Sequence, residues 1–225
     1  EQIRQNIFKL GFSEPDLVIS ADGGADHTLR LGLTPHLVIG DMDSINLQTK
    51  ISLQKKGVKF IQQPAHKDYT DTYLAVKEAV RAGAGQTIIL GATGGRIDHS
   101  LANIMLLADP LLQEIDIRII TEKQEIFTVF KKATLEGNRG MEISLFSLTP
   151  YTVVNHTKGL KYRLKNERLL FSPVRGVSNE FTGPCAQIEI EEGSYGCLVV
   201  DFSCAFRWGV SWRAYNFSLC GGRSG

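Results

Sequence analysis

Apolar residues recur along this chain in two rhythms, and the change between them falls near residue 125. Before that point, apolar runs of strand length stand at 17–19, 37–39, 58–61, 87–90 and 115–120. Stretches of helical spacing lie between them. Residues 2–10 place Ile3, Ile7 and Leu10 on one face of an amphipathic helix. Residues 27–31 and 51–56 read as short helices, and residues 101–107 as a buried one. Tyr69, Tyr73, Val76 and Val80 repeat at the interval of a longer helix, with Gly83 placed to end it. Strands alternating with helices predict an α/β architecture, a mostly parallel sheet with flanking helices.

Beyond residue 125 the runs at 126–130, 141–147, 151–155, 186–190 and 197–202 alternate or stay apolar at strand length. Gly137-Asn138, Thr149-Pro150, Gly176 and Gly193 separate them, and no convincing helix intervenes. This predicts a following all-β, sandwich-like domain. The expected division is 1–124, 125–202 and an atypical tail at 203–225, which holds both tryptophans and two of the four cysteines. The tail does not fit the β pattern.

Composition narrows the picture. With 225 residues, 43% of them hydrophobic, the chain can bury a sizeable core. A formal net charge of +1 offers no electrostatic case for a nucleic-acid partner. The basic segment 158–168 carries five positive residues against Glu167 and reads as a solvated strand pair. No apolar run approaches the roughly 18 residues of a membrane span. No signal-peptide pattern opens the chain, which starts on Glu1 and not on Met, so residues ahead of it are expected. Cys185, Cys197, Cys204 and Cys220 lack C-x-x-C spacing, which argues against zinc and does not demand disulfides. The expectation is a soluble, cytoplasmic protein.

The chemistry lies in loops that follow the strands. Gly40-Asp41-Met42-Asp43-Ser44 comes directly after the run at 37–39. Two carboxylates there suit Mg²⁺, which takes oxygen ligands and is commonly shared with substrate phosphates. The plainer reading is a polar turn with a capping Asp. Ala21-Asp22-Gly23-Gly24-Ala25-Asp26 joins a strand to a helix and is either a tight turn or a backbone approach to phosphate. In His66-Lys67-Asp68-Tyr69-Thr70-Asp71 the acidic pair resembles a helix cap. One of its carboxylates would then cap and the other face the metal. Lys67 either meets phosphate or is solvated.

Gly91-Ala92-Thr93-Gly94-Gly95-Arg96-Ile97-Asp98-His99-Ser100 is the richest loop. Backbone N–H groups at a strand-to-helix junction can cradle an anion, and Arg offers a bidentate fork. The P-loop spacing is absent. His99 reads as a helix-start residue. The later segment 175–181 is a polar loop that faces a ligand or merely turns the chain.

Taken together, Ser20-Ala21-Asp22-Gly23-Gly24-Ala25, the 40–44, 67–71 and 91–99 motifs, and Gly176-Val177-Ser178-Asn179-Glu180-Phe181 resemble the thiamine pyrophosphokinase family, in order and spacing across about residues 15–202. The resemblance implies an α/β catalytic domain, a β-sandwich thiamine-binding domain, and a homodimer with sites at the subunit interface. It implies transfer of pyrophosphate from ATP to the hydroxyl of thiamine, with Mg²⁺ as cofactor. By the same resemblance, Asp41, Asp43 and Asp71 hold the metal. Asp22, Gly23, Lys67, Thr93, Gly94, Gly95 and Arg96 bind ATP. Asp98, Ser178 and Asn179 line the thiamine pocket, the last two contributed by the other subunit. Asp71, Asp98 and Arg96 form the catalytic group, with the general base left open between Asp71 and Asp98. Two departures stand out. The family begins with a further strand and glycine-containing loop ahead of the 2–10 helix, and the tail has no counterpart. Other readings of the same residues are a metal-dependent nucleotide-sugar transferase and a non-catalytic thiamine or nucleotide binder.

Overall fold

The computed structural model describes residues 15–191, 196–201 and 214–215. The expected helix at 2–10 therefore lies outside the described residues, as does most of the tail. Strands β1 (Ile19–Ala21), β2 (Leu37–Gly40) and β3 (Lys59–Gln62) form a parallel sheet in that order. Helix α1 (Gly24–Arg30) follows β1, and α2 (Leu47–Lys55) follows the loop after β2. A small core seals this unit, with Ala25, Val38, Ile45 and Leu53 buried between sheet and helices.

Helix α3 (Asp71–Arg81) leads to β4 (Gln86–Leu90), helix α4 (Ile97–Leu106) and β5 (Asp116–Ile120). β4 and β5 pair in parallel, Gln86 opposite Asp116 through Leu90 opposite Ile120. Here the architecture departs from one mostly parallel sheet. A tight turn at 121–123 sends β6 (Gln124–Val129) back antiparallel along β5. The ladder continues through β13 (Gly196–Asp201), β8 (Glu142–Ser147) and β11 (Asn179–Glu180), so the parallel pair is one end of a mixed six-stranded sheet. The first three strands stand as a separate parallel sheet.

A five-stranded antiparallel sheet completes the fold, in the order β10 (Lys165–Leu170), β9 (Tyr151–Lys158), β12 (Cys185–Ile190), β7 (Lys132–Glu136) and β14 (Ala214–Tyr215). The expected strand pair around the basic segment is β9 with β10. The short β14 ties part of the tail to β7, which the sequence pattern did not suggest. Cys185 is disulfide-bonded, which the cysteine spacing alone does not require.

Strand alternation sorts side chains between two cores. Phe127, Val129, Ile143, Leu145, Leu198 and Val200 face Ala133, Leu135, Val154, Ile188 and Ile190 of the other sheet, which makes a β-sandwich. Ile117, Ile119 and Ile126 point to the opposite face and pack under Val76, Leu106 and Leu107 of the α3–α4 layer. The result is a mixed α/β unit whose sheet runs on into a sandwich. Among the described residues, no helix is long and apolar enough to cross a membrane.

Candidate active site

The carboxylates meet because of strand pairing. β1 and β2 are parallel neighbours with Ala21 opposite Ile39, so the residues just past their ends lie side by side. Asp22 N–H donates to the Ile39 carbonyl at 2.9 Å, extending the ladder by one step. Asp22 takes φ 43°, turning its carboxylate toward the loop after β2. Asp71 arrives from the other side as the first residue of α3. Thr70 is the cap of that helix, its hydroxyl accepting from Tyr73 N–H at 3.2 Å. The expected capping role for the Asp68–Asp71 pair is thus taken by Thr70, and the Asp71 carboxylate is left for the site.

Asp22, Asp41 and Asp71 each offer a carboxylate oxygen, and these oxygens lie within 4.8 Å of one another. Gly40 makes that approach possible. It sits at φ +153°, and a Cβ there would stand 2.8 Å from Asp22 Cβ and 3.2 Å from Asp71 Oδ1. The loop bearing Asp41 is pinned twice. Ser44 donates to Asp22 Oδ2 through its N–H at 3.3 Å and through its hydroxyl. Asp26 accepts from Asn46 N–H at 3.0 Å and from the Thr49 hydroxyl. Asp22 is 6% exposed, and its Oδ1 is buried without a hydrogen-bond partner. A buried carboxylate oxygen left open beside two further carboxylates calls for a cation. The donor set is all hard oxygen, which fits Mg²⁺.

Lys67 is the organic cation at this spot. Its Nζ lies 2.9 Å from Asp71 Oδ1 and 3.6 Å from Asp41 Oδ2. Burial opposes the ammonium charge, yet Asp71 and Asp41 outweigh it and raise the Lys67 pKa. Asp43 lies outside the trio, exposed on the turn. Its N–H donates to Asp41 Oδ1 at 3.4 Å, and the neighbouring Asp22 and Asp41 raise its carboxyl above the usual range. The metal set expected from the sequence was Asp41, Asp43 and Asp71. The structure brings carboxylate oxygens of Asp41 and Asp71 together with one of Asp22, and the Asp43 carboxyl stands beside Asp22 at the edge of this group.

The glycine-rich loop after β4 is tied to its helix. Asn103 Nδ2 donates to the Ala92 carbonyl at 2.9 Å, and Gly94 N–H donates to the Ser100 hydroxyl at 3.2 Å. Arg96 caps α4 by backbone position, without a side-chain cap bond. Its guanidinium grips Asp98 with both arms, at 3.1 Å and 2.5 Å. Arg96, offset in part by desolvation and helped by the His99 N–H, holds the Asp98 carboxyl down at about 2. Both side chains are largely exposed.

Ser178 and Asn179 belong to a different place. Ser178 N–H donates to the Ser144 hydroxyl at 3.1 Å. The Asn179 amide clamps Tyr162, accepting from its N–H at 2.9 Å and donating to its carbonyl at 2.7 Å. β11 and β4 are opposite edges of the six-stranded sheet, so at about 4.8 Å per strand these residues lie about 24 Å across from the Arg96 loop.

Both halves of this chain match known proteins. The family model described as thiamin pyrophosphokinase, catalytic domain matches residues 8–119. A second, described as thiamin pyrophosphokinase, vitamin B1 binding domain, matches residues 132–195. Thiamine pyrophosphokinase of Bacillus subtilis is 32% identical over 170 residues, 74% of this chain and 79% of that protein. The crystal structure of thiamine pyrophosphokinase from Bacillus subtilis superposes with a TM-score of 0.75 at 26% identity, covering 87% of this chain and 92% of the other. A thiamin pyrophosphokinase family protein from Enterococcus faecalis superposes with a TM-score of 0.70 at 29% identity, over 81% and 87% of the two chains. Both halves of the sequence and the fold that joins them lead to one assignment: this chain belongs to the thiamine pyrophosphokinase family.

Proposed function

We propose that the chain transfers pyrophosphate from ATP to the hydroxyl of thiamine, giving thiamine diphosphate and AMP, at the Asp22–Asp41–Asp71 centre. The observation that carries the siting is the convergence of these carboxylates around the orphaned Asp22 oxygen. In this reaction the thiamine hydroxyl oxygen bonds to the β-phosphorus of ATP. The bond from that phosphorus to the oxygen bridging to AMP breaks, and AMP departs with the bonding pair. Such transfer depends on alignment and on neutralising charge.

Asp22, Asp41 and Asp71 would hold Mg²⁺, which when bound supplies charge neutralisation on the phosphate oxygens. Lys67 stands next to that centre and offers its ammonium to a phosphate. Arg96 offers a bidentate fork, released from Asp98, to the polyphosphate. Asp98 is a poor proton acceptor while Arg96 holds it at about 2. Asp22, Gly23, Thr93, Gly94 and Gly95 complete the ATP side, and residues 1–124 form the nucleotide and metal unit. Residues 125–202 carry the thiamine side, through Ser178 and Asn179.

The separation of about 24 Å between that edge and the Arg96 loop supports a homodimer in which one subunit's Ser178 and Asn179 serve its partner's centre. Helix α4 supports it too, with Ile97, Leu101 and Met105 exposed one turn apart along one stripe. Sedimentation equilibrium is expected to give twice the chain mass. A monomer at micromolar concentration would overturn the shared site.

The reaction itself is tested by AMP release from ATP and Mg²⁺, with and without thiamine. AMP that forms only with thiamine is the expected result. ADP would mean simple phosphoryl transfer, and saturable thiamine binding without turnover would mean a binding protein.

A further inference from the structure

Ser44 closes the 40–44 motif, and the sequence pattern suggests no role for it. In the structure it joins the loop after β1 to the loop after β2. Its hydroxyl accepts from Gly23 N–H at 3.2 Å and donates to Asp22 Oδ2. Its own N–H donates to the same oxygen at 3.3 Å. Asp22 Oδ2 thus takes two donors from one residue, while Asp22 Oδ1 stays buried with no hydrogen-bond partner.

The backbone on both sides is shaped for this contact. Asp22 at φ 43° and Met42 at φ 68° both lie in the left-handed region, which residues with a Cβ rarely adopt. Such conformations persist where surrounding contacts hold them, and they gather at ligand sites. Gly23 is helical at φ −56°, so its own conformation does not call for glycine. Space does. A Cβ there would stand 2.9 Å from Ser44 Oγ and 3.1 Å from the Ser44 carbonyl oxygen.

An untethered aspartate turns easily about its last side-chain bond, where the torsional wells are broad. Two donors on Oδ2, one of them a hydroxyl held in turn by Gly23, oppose that rotation. Asp43 also stands beside Asp22, but an ionised carboxylate has no hydrogen to donate and cannot replace the hydroxyl.

We infer that Ser44 is a positioning residue for the reaction, holding Asp22 by Oδ2 so that Oδ1 faces the divalent cation. This role rests on the reading of Asp22, Asp41 and Asp71 as the Mg²⁺ centre. Partners that orient metal-ligating side chains govern metal affinity by roughly ten- to a hundredfold.

The test reads the cation directly, with Mn²⁺ as the probe and neither nucleotide nor thiamine present. Free Mn²⁺ is followed by electron paramagnetic resonance during titration of the wild type, Ser44→Ala, Ser44→Thr and Thr49→Val. Ser44→Ala is expected to bind Mn²⁺ about tenfold more weakly. Ser44→Thr keeps the hydroxyl and is expected to stay within about threefold of wild type. Thr49→Val removes the other tie on the same loop, the hydroxyl bond to Asp26. It is expected to lower the urea midpoint and leave Mn²⁺ affinity unchanged, which separates orientation of Asp22 from loop stability. In the AMP-release assay, half-saturation by Mg²⁺ is expected to rise about tenfold in Ser44→Ala, with kcat at saturating Mg²⁺ changed far less. Unchanged Mn²⁺ affinity in folded Ser44→Ala, equal losses in Ser44→Ala and Ser44→Thr, or an equal loss in Thr49→Val would each overturn the inference and leave the metal centre standing. Failure of the centre itself has a different signature, a wild type that binds no Mn²⁺, and it would take the inference with it.

Discussion

Asp71→Asn is expected to lower Mg²⁺-dependent AMP release about a thousandfold while leaving the fold intact. The cap of α3 belongs to Thr70, so the helix start does not depend on Asp71. Asn keeps the size and loses only the charge, along with a helix-terminal contribution of about 0.3–1 kcal/mol. The charge is what matters at the centre. Asp71 is one of three convergent carboxylates and the nearer partner of Lys67, at 2.9 Å against 3.6 Å for Asp41. Removing a ligand of the proposed metal is expected to forfeit several kcal/mol of transition-state charge stabilisation, and about 4 kcal/mol is a thousandfold. Turnover within tenfold of wild type, in a variant with unchanged circular dichroism, would take Asp71 out of the centre. Asp43→Asn is the contrast, since Asp43 is exposed and outside the trio, and a much smaller loss is expected.

Gly40→Ala is expected to cost about 3 kcal/mol of stability and about a hundredfold in AMP release. Two separate penalties combine here. At φ +153° a residue with a Cβ is strained, and the Cβ would stand 2.8 Å from Asp22 Cβ. Relief requires β1 and β2 to part at their ends, which spreads the carboxylates. Urea denaturation measures the first effect, and a Mn²⁺ titration reads the second as weakened binding. Gly24→Ala is the control, because a Cβ at Gly24 meets nothing within 4 Å. Wild-type stability in Gly40→Ala would show that the strand ends are looser than the structure portrays.

The local elements were largely legible. The apolar runs at 37–39 and 87–90 lie within β2 and β4, and the Tyr69–Val80 spacing runs through α3. Short-range periodicity reports which face of an element is apolar, and that depends only on residues a turn or a pleat apart. Polar strands were harder. In β10 only Leu169 is buried, so Lys165–Leu170 gives almost no alternation to read. Helix α4 starts at Ile97, earlier than its apolar run suggests, because Ile97 is 84% exposed and carries no packing signal.

By itself the sequence determined the loaded loops, their order, and the family they resemble, because each motif is a run of neighbouring residues at a strand end. Only the tertiary structure decided which carboxylates share a centre. Asp43 is two residues from Asp41 in the chain, yet Asp22 and Asp71 are the ones that join it, because parallel pairing of β1 with β2 and the approach of α3 set the distances. Tertiary structure also decided that β4 and β5 continue into the sandwich through β6. A strand's pattern fixes which of its faces is buried, but the strand it pairs with is chosen by the turn geometry and packing of the whole chain.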